Sequence, residues 1–376
     1  MSHWTEVRPS EDFYRVLDAD GRPLDDPPDV DEETLRRMYR AFVRSRAFDA
    51  KALSLQRRGE ISIHAASTGE EAVSVGSAAA LEPDDWCFPT YRQTAASIYW
   101  DAPLARTFAG LMGAEPETVA EHLDDESNPA VNFSPPYIPL TVNVTNAVGS
   151  AMADAFNDRD TVTMSYVGDG STSEGDFHEA LNFAGVFEAP AVTICHNNQW
   201  AISVPTHRQT AAETFARKAE AHGVPYDRVD GNDVLAVYEK SREAIERARN
   251  GGGPTLLECV TYRMVDHNTA DEDSVYRDEE ELARWADLDP VDRFETYLRE
   301  AGVMDDDEMD RVAEAAEADV DEAVEAARSV PRSDPQRMFD NHLHGESWTE
   351  RHQRAELRRE GMGENPFVDF DGEGFK

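Results

Sequence analysis

A doubly wound α/β fold, a mainly parallel sheet with helices on both faces, is what this 376-residue sequence predicts. Three observations carry that expectation. The stretches "TVTMSYV" (161–167) and "AVTICH" (191–196) are short β-rich runs. Between them, "DFHEALNFAGVFE" places Phe177, Leu181 and Ala184 on one helical face. Strand, crossover helix and strand make a βαβ unit, whose two strands run parallel. Further on, "VPYDRV", "DVLAVYEKSREAIERARN" and "PTLLECVTYR" repeat the alternation, which argues for a parallel sheet covered on both faces.

The flanking elements follow in order. Residues 1–30 hold Pro9, Pro23, Pro27 and Pro28 among acidic residues and read as an extended arm. The main domain spans 31–347. It opens with a helix from Asp31, in which Leu35, Met38, Tyr39 and Phe42 keep helical spacing and Gly59 supplies the stop. "GEEAVSVGSAAAL" is a small-residue helix able to pack closely. "TYRQTAASIYW" reads as a third helix with Thr90 as N-cap and Tyr91 and Arg92 in its first turn. After Arg263 the polar run "MVDHNTADEDSVYRDEEE" has no period and reads as a loop. From about Pro290 the chain is helical and acidic, and 348–376 reads as an acidic tail with a short helix.

Composition narrows the function classes. The chain carries 36 basic and 76 acidic residues, a net charge of −40, which argues against a nucleic-acid partner. Only Lys51, Lys218, Lys240 and Lys376 are lysines. Acid spread along the whole chain reads as a solvated surface suited to very high salt, where screening shortens repulsion to about 3 Å at 1 M. Cys87, Cys195 and Cys259 are scattered and without a CxxC, so neither a disulfide framework nor a zinc site is expected. The N-terminus lacks a signal-peptide pattern and no 18-residue apolar run occurs, so a cytoplasmic protein with no membrane association is expected.

Ligands of open parallel sheets bind beyond the carboxyl ends of the strands. Gly168, Asp169 and Gly170 follow the first strand, and Asn197 and Asn198 follow the second, with 26 residues between Gly170 and Asn197. Glycines let a backbone approach phosphate oxygens. A carboxylate and an amide oxygen are hard donors that suit magnesium. "GDG" alone is an ordinary turn and an asparagine pair alone is an ordinary cap. Their joint occurrence at neighbouring strand ends reads as a magnesium-diphosphate site. No GxxxxGK[ST] occurs here, and "GDGSTSEG" breaks GxGxxG spacing.

GDG, 26 residues and NN resemble the thiamine diphosphate signature. "GEEAVSVGSAAALEPDDWCFPTYRQTAASIYWDAPL", "SEGDFHEALNFA", "NNQWAISVP", "VDGNDVLAVY" and "TYRMVDHNTADEDSVYRDEEELARW" extend the likeness from roughly Asp31 to Ser347. Together they resemble the alpha subunit of the decarboxylating dehydrogenase component of 2-oxo acid dehydrogenase complexes, in its pyruvate and branched-chain group. The resemblance implies magnesium held by the Asp169 carboxylate, the Asn198 side chain and the Trp200 carbonyl. It implies thiamine diphosphate bound by Tyr91, Arg92, Leu140 (through its main chain), Gly168, Gly170, Ser171, His196 and Arg263. His267, in a loop, is implied as the catalytic histidine. Imidazole can exchange a proton near neutral pH, which suits that role. The implied partners are a beta subunit in an α2β2 assembly, a lipoyl-bearing acyltransferase and a 2-oxo acid substrate. The alpha chain alone is expected to be inactive, because the activating glutamate belongs to the beta subunit.

His64 lies near the substrate side that the family implies, and His178 reads as structural. His196 stands where branched-chain relatives often have arginine. Val142 replaces a hydroxyl ligand of a monovalent-cation site, which puts that site in question. Positions phosphorylated in mitochondrial relatives are Asn268 and Asp278 here, although Thr269 and Ser274 keep hydroxyls. Two alternatives stay open: an acetoin-cleaving dehydrogenase on the same platform, and a non-catalytic assembly subunit that retains the fold.

Overall fold

The computed structural model describes residues 13–123, 131–339 and 345–360. The start of the arm and the end of the acidic tail lie outside the described residues. In chain order the elements are α1 (Glu32–Arg57), α2 (Glu71–Ala79), β1 (Trp86–Phe88), α3 (Thr94–Tyr99), α4 (Leu104–Leu111), α5 (Pro116–His122), β2 (Asn132–Phe133), α6 (Val142–Phe156), β3 (Thr163–Gly168) and α7 (Gly175–Val186). There follow β4 (Ala191–Asn197), β5 (Trp200–Ala201), β6 (Val204–Pro205), β7 (Tyr226–Asp230), α8 (Val234–Arg249), β8 (Thr255–Val260), α9 (Glu279–Ala286), α10 (Pro290–Glu300), α11 (Asp306–Arg328) and α12 (Trp348–Glu360). Short 3-10 turns punctuate the loops.

The chain divides into two compact units. The first, residues 1–49, 65–102 and 127–319, holds a six-stranded, all-parallel sheet in the order β2-β1-β3-β4-β8-β7. Its central strands β4 and β8 are buried along their whole length, as expected where helices cover both faces. Val167, Cys195 and Leu256 pack with Val144 and Val148 of α6 and Phe177, Leu181 and Ala184 of α7. Burying a side chain such as Phe177 or Leu181 contributes roughly 1.5–3 kcal/mol. On the opposite face Tyr166 places its hydroxyl 2.8 Å from Ser77 Oγ of α2. The small residues of α2 are buried from Ala72 to Ala78. At the carboxyl end of the sheet, Asn143 of α6 donates from Nδ2 to the carbonyls of Phe88 (3.1 Å) and Tyr166 (2.6 Å) and so ties β1 to β3.

Two local readings differ from the structure. The third helix begins at Thr94 rather than just after Thr90. Thr90 donates from its backbone N (2.8 Å) and its Oγ1 (2.6 Å) to Gln93 Oε1. A turn therefore forms where a cap was expected, and Tyr91 and Arg92 sit in that turn. In the described part of the arm, Tyr14 bridges to Val229 of β7. Val16 and Leu17 are buried, and both backbone N–H groups donate to Asp233 Oδ2 (2.7 and 2.6 Å). That part of the arm is packed, because its apolar pair meets a buried carboxylate that satisfies its backbone.

The second unit comprises residues 50–64, 103–126 and 320–376. Within it Arg328 pairs with Glu60 at 2.9 Å, and Ser333 N donates to the Gly113 carbonyl at 3.2 Å. No helix among the described residues is long and apolar enough to cross a membrane.

Candidate active site

Five segments of the first unit meet beyond the carboxyl ends of β3, β4 and β8: residues 68–70, 90–92, 168–171, 196–201 and 261–267. Backbone hydrogen bonds stitch them together. Asp169 N donates to the His196 carbonyl (3.1 Å), Thr261 N to Asn197 O (2.9 Å), Arg263 N to Asn198 O (3.2 Å) and Met264 N to Thr68 O (3.1 Å). Gly69 makes the last approach feasible. Its φ is +93°, and a Cβ there would stand 2.4 Å from the Tyr262 carbonyl oxygen.

Asp169 is buried, and its Oδ2 accepts from Gln209 Nε2 at 2.6 Å. Burial pushes its carboxyl up to about 7; the Gln209 hydrogen bond opposes that shift and the nearby Glu70 charge adds to it. Gly170 packs so close to β5 that a Cβ would stand 2.4 Å from the Ala201 Cβ. Ser171 belongs to the short 3-10 turn after Asp169, and Lys218 props that turn by donating to Thr172 Oγ1 (2.7 Å) and Thr172 O (3.1 Å).

The two asparagines part company. Asn197 donates to Glu258 Oε1 (2.7 Å) and accepts from Gln199 Nε2 (3.0 Å), which makes it a structural brace. Asn198 donates from Nδ2 to Glu70 Oε2 (3.0 Å), and its Oδ1 accepts from Trp200 N (3.2 Å). The amide oxygen and the Trp200 backbone are thus adjacent.

Glu70 escaped the reading of the sequence. It is fully buried, and Oε2 also lies 3.4 Å from His196 Nδ1, while Oε1 lies 3.6 Å from Arg92 Nε. Burial by itself raises its carboxyl, but the His196 hydrogen bond, the Arg92 charge and the Asn198 hydrogen bond together hold it below the ordinary value. Gln209 escaped as well. Neither could be found by motif, because each meets the site only through the fold, although two consecutive acids opening an otherwise apolar helix were a signal.

His267 faces two guanidinium groups. Its Nδ1 lies 3.3 Å from Arg92 Nη2 and 3.4 Å from Arg263 Nη1, and its ring meets Tyr91 edge-on at 6.3 Å. Burial first, then Arg92 and Arg263, push its imidazole down to about 4. Arginine can only donate, so Nδ1 is the acceptor and Nε2 carries the proton of the neutral ring. Arg263 is fully buried and held by the carbonyls of Val265 (3.1 Å) and Ile202 (2.9 Å) and by the Tyr276 hydroxyl (2.8 Å).

The structure therefore brings together Tyr91, Arg92, Gly168, Asp169, Gly170, Ser171, His196, Asn198, Trp200, Arg263 and His267. Leu140, before α6, is 41% exposed, and its carbonyl accepts from Thr141 Oγ1 at 2.7 Å. His178 lies on α7 with its Nδ1 3.3 Å from His222 Nε2. His64 is buried within the second unit.

The residues fit a magnesium-diphosphate group. Asp169 Oδ, Asn198 Oδ1 and the Trp200 carbonyl are all hard oxygen donors. Three buried polar atoms around them, Glu70 Oε1, His196 Nε2 and Gln209 Oε1, have no hydrogen-bond partner among the described residues. A cation would stabilise the desolvated Asp169 carboxyl in its charged form.

The sequence matches the family described as dehydrogenase E1 component over residues 39–336. It is 42% identical over 316 residues to the 3-methyl-2-oxobutanoate dehydrogenase subunit alpha of Mycobacterium tuberculosis (strain CDC 1551 / Oshkosh), covering 83% of each chain. It is 40% identical over 303 residues to the pyruvate dehydrogenase E1 component subunit alpha of Acholeplasma laidlawii, covering 80% of this chain and 86% of that one. The subunit of the same name from Staphylococcus aureus (strain Mu50 / ATCC 700699) is 37% identical over 325 residues, with 85% and 86% covered. Taken with the sheet and the residues at its carboxyl edge, these matches establish that the chain belongs to the thiamine diphosphate-dependent dehydrogenase E1 component family, as the alpha subunit of a 2-oxo acid dehydrogenase.

Proposed function

We propose that this chain, with a beta subunit, decarboxylates pyruvate or a branched-chain 2-oxo acid and passes the acyl group to a lipoyl-bearing acyltransferase. The observation that carries the reading is the convergence of Asp169, Asn198, Trp200, Arg92 and His267 at one edge of a parallel sheet. Thiamine diphosphate, when bound, supplies the nucleophilic carbon and the electron sink that decarboxylation of a 2-oxo acid needs. Asp169, Asn198 and the Trp200 carbonyl hold magnesium. Gly170 and Ser171 approach the diphosphate by backbone, and Tyr91 and Arg92 bind its oxygens, a charge-assisted contact for the guanidinium. His267 is the catalytic histidine, presenting a neutral ring with a proton on Nε2. Arg92 and Arg263 fix that tautomer, and burial together with the two guanidinium charges keeps the ring from charging near neutral pH.

The chain supplies the diphosphate half of the cofactor site, and the beta subunit of an α2β2 assembly supplies the rest. The test uses the two chains co-purified in molar potassium chloride, as the acidic surface calls for. Reduction of an artificial electron acceptor is followed with pyruvate, 2-oxoisovalerate, 2-oxo-3-methylvalerate, 2-oxoglutarate and acetoin. Turnover of pyruvate or the branched-chain acids, dependent on thiamine diphosphate and magnesium, is expected. Turnover of acetoin alone would replace the reading with an acetoin dehydrogenase.

A further inference from the structure

We propose that Glu70 is a positioning residue for the metal site: its buried carboxylate fixes the Asn198 amide so that Oδ1, and not the NH2 group, faces the cation. The inference rests on the assignment of Asn198 as a magnesium ligand, and it concerns a residue that is itself neither a ligand nor a cofactor contact in that assignment.

Glu70 occupies the N-cap position of α2, where a polar side chain such as Asp or Ser accepts from the first free N–H groups of the helix. It does not do so. Its side chain makes no capping hydrogen bond. The next residue, Glu71, reaches back instead, accepting from Gly69 N at 2.9 Å. Glu70 is thereby free to turn away from α2 and toward β4, at no exposure to solvent. A fully buried carboxylate is expensive unless its oxygens are used. The use is specific: Oε2 accepts from Asn198 Nδ2 at 3.0 Å.

That bond settles a question an amide cannot settle alone. The two ends of an asparagine side chain are nearly the same shape and opposite in polarity. A carboxylate accepts only, so the end facing Glu70 is the NH2. Trp200 N, at 3.2 Å, takes one lone pair of Oδ1 and agrees with this orientation. The second lone pair of Oδ1 is left for a cation. Reversed, the amide would turn an N–H toward the metal and leave Oδ1 against the Glu70 carboxylate. His196 Nδ1 at 3.4 Å and Arg92 Nε at 3.6 Å hold the carboxylate from two other sides. The polar groups facing it come from β4, from the loop after it and from the turn before α3. Partners of this kind, one bond removed from a metal, typically change metal affinity by about 10- to 100-fold when lost.

The experiment uses the assembled dehydrogenase. At saturating thiamine diphosphate, the magnesium concentration for half-maximal quenching of tryptophan fluorescence is measured for wild type and four variants. Glu70→Ala removes the acceptor and should raise that concentration about 10- to 100-fold. Glu70→Gln keeps an oxygen acceptor for Asn198 Nδ2 and should stay within about threefold of wild type, well below that range. Asn198→Asp opposes two carboxylates and should bind magnesium poorly. The double variant Glu70→Gln with Asn198→Asp restores a hydrogen bond of reversed polarity and should recover most of the loss, which a merely structural role for Glu70 would not produce.

A folded Glu70→Ala with wild-type magnesium dependence overturns the proposal. So does a Glu70→Gln as defective as Glu70→Ala, which would assign the role to charge. If Glu70→Ala does not fold, a double variant no better than Asn198→Asp alone overturns it. Should wild type and Asp169→Asn both bind the cofactor without regard to magnesium, the metal-site reading itself fails, and the proposal with it.

Discussion

Replacing Gly170 with alanine puts the geometry of the diphosphate turn to a quantitative test. The added Cβ would stand 2.4 Å from the Ala201 Cβ and 3.2 Å from its Cα. Carbon atoms in contact sit about 3.5–4.0 Å apart, so the methyl groups overlap by roughly 1 Å or more. Ala201 pairs with Val204 in the two-residue ribbon β5-β6, and Trp200 precedes it. Pushing Ala201 outward carries the Trp200 carbonyl with it, away from the position proposed for magnesium. Overpacking of this kind costs about 1–3 kcal/mol. Without cofactor the ribbon yields and little stability is lost. With cofactor the carbonyl must return, so the cost appears in binding, as a loss of about 5- to 150-fold in affinity at 1.4 kcal/mol per factor of ten. The assay is thermal unfolding of the assembled enzyme together with a titration of thiamine diphosphate at fixed magnesium. Gly175→Ala is the internal control, since nothing lies within 4 Å of a Cβ there and the site opens helix α7. It should be neutral or stabilising by up to about 1 kcal/mol. Changes of less than about 0.5 kcal/mol in both stability and affinity, the range of an ordinary surface substitution, would show that the Gly170 turn does not press on Ala201.

Two further outcomes follow from the buried ionisable groups. Asp169→Asn should abolish magnesium-dependent cofactor binding. In the absence of metal it should also melt above wild type at pH 8: a carboxyl raised from 3.8 to about 7 in the folded state loses stability as pH rises through that range. The difference should shrink as pH falls from 7 toward 4, and a gap that widens there counts against the assignment. For His267, lowered to about 4 in the folded state, the sign is opposite. Its neutral form contributes fully above pH 6.5, and wild type should lose stability relative to His267→Gln as pH falls from 6.5 toward 4. Denaturant unfolding at pH 8, 6 and 4.5 reads this, and a constant difference across the three would show that burial and the two arginines do not lower the ring's pKa.

The crossover unit was legible because its signals are local: a seven-residue run that is apolar or β-branched except at Ser165, a helix-period face of Phe177, Leu181 and Ala184, then a second run. Parallel pairing of β3 with β4 follows from the length of that connection. The start of α3 was not legible, since Thr90 spent its hydrogen bonds on Gln93 and left Tyr91 and Arg92 in a turn. Asp169 and the Asn197–Asn198 pair could be found from strand ends alone, and the family resemblance picked Asn198 out of the pair. Glu70 could not, because its meaning depends on a partner 128 positions away. Gln209 likewise reaches Asp169 only because the β5-β6 ribbon folds back. Asn197 shows the converse: it shares the motif with Asn198, yet its side chain turns to Glu258 and serves the sheet.

The cofactor site is tested by comparing the assembled enzyme with its Asp169→Ala, Asn198→Ala double variant, measuring release of carbon dioxide from the preferred 2-oxo acid at saturating magnesium and thiamine diphosphate. The double variant should fold, assemble with its beta partner and release no carbon dioxide above the rate without cofactor. Wild-type turnover by that variant would contradict the assignment of the Gly168–Trp200 edge as the place where the cofactor is held.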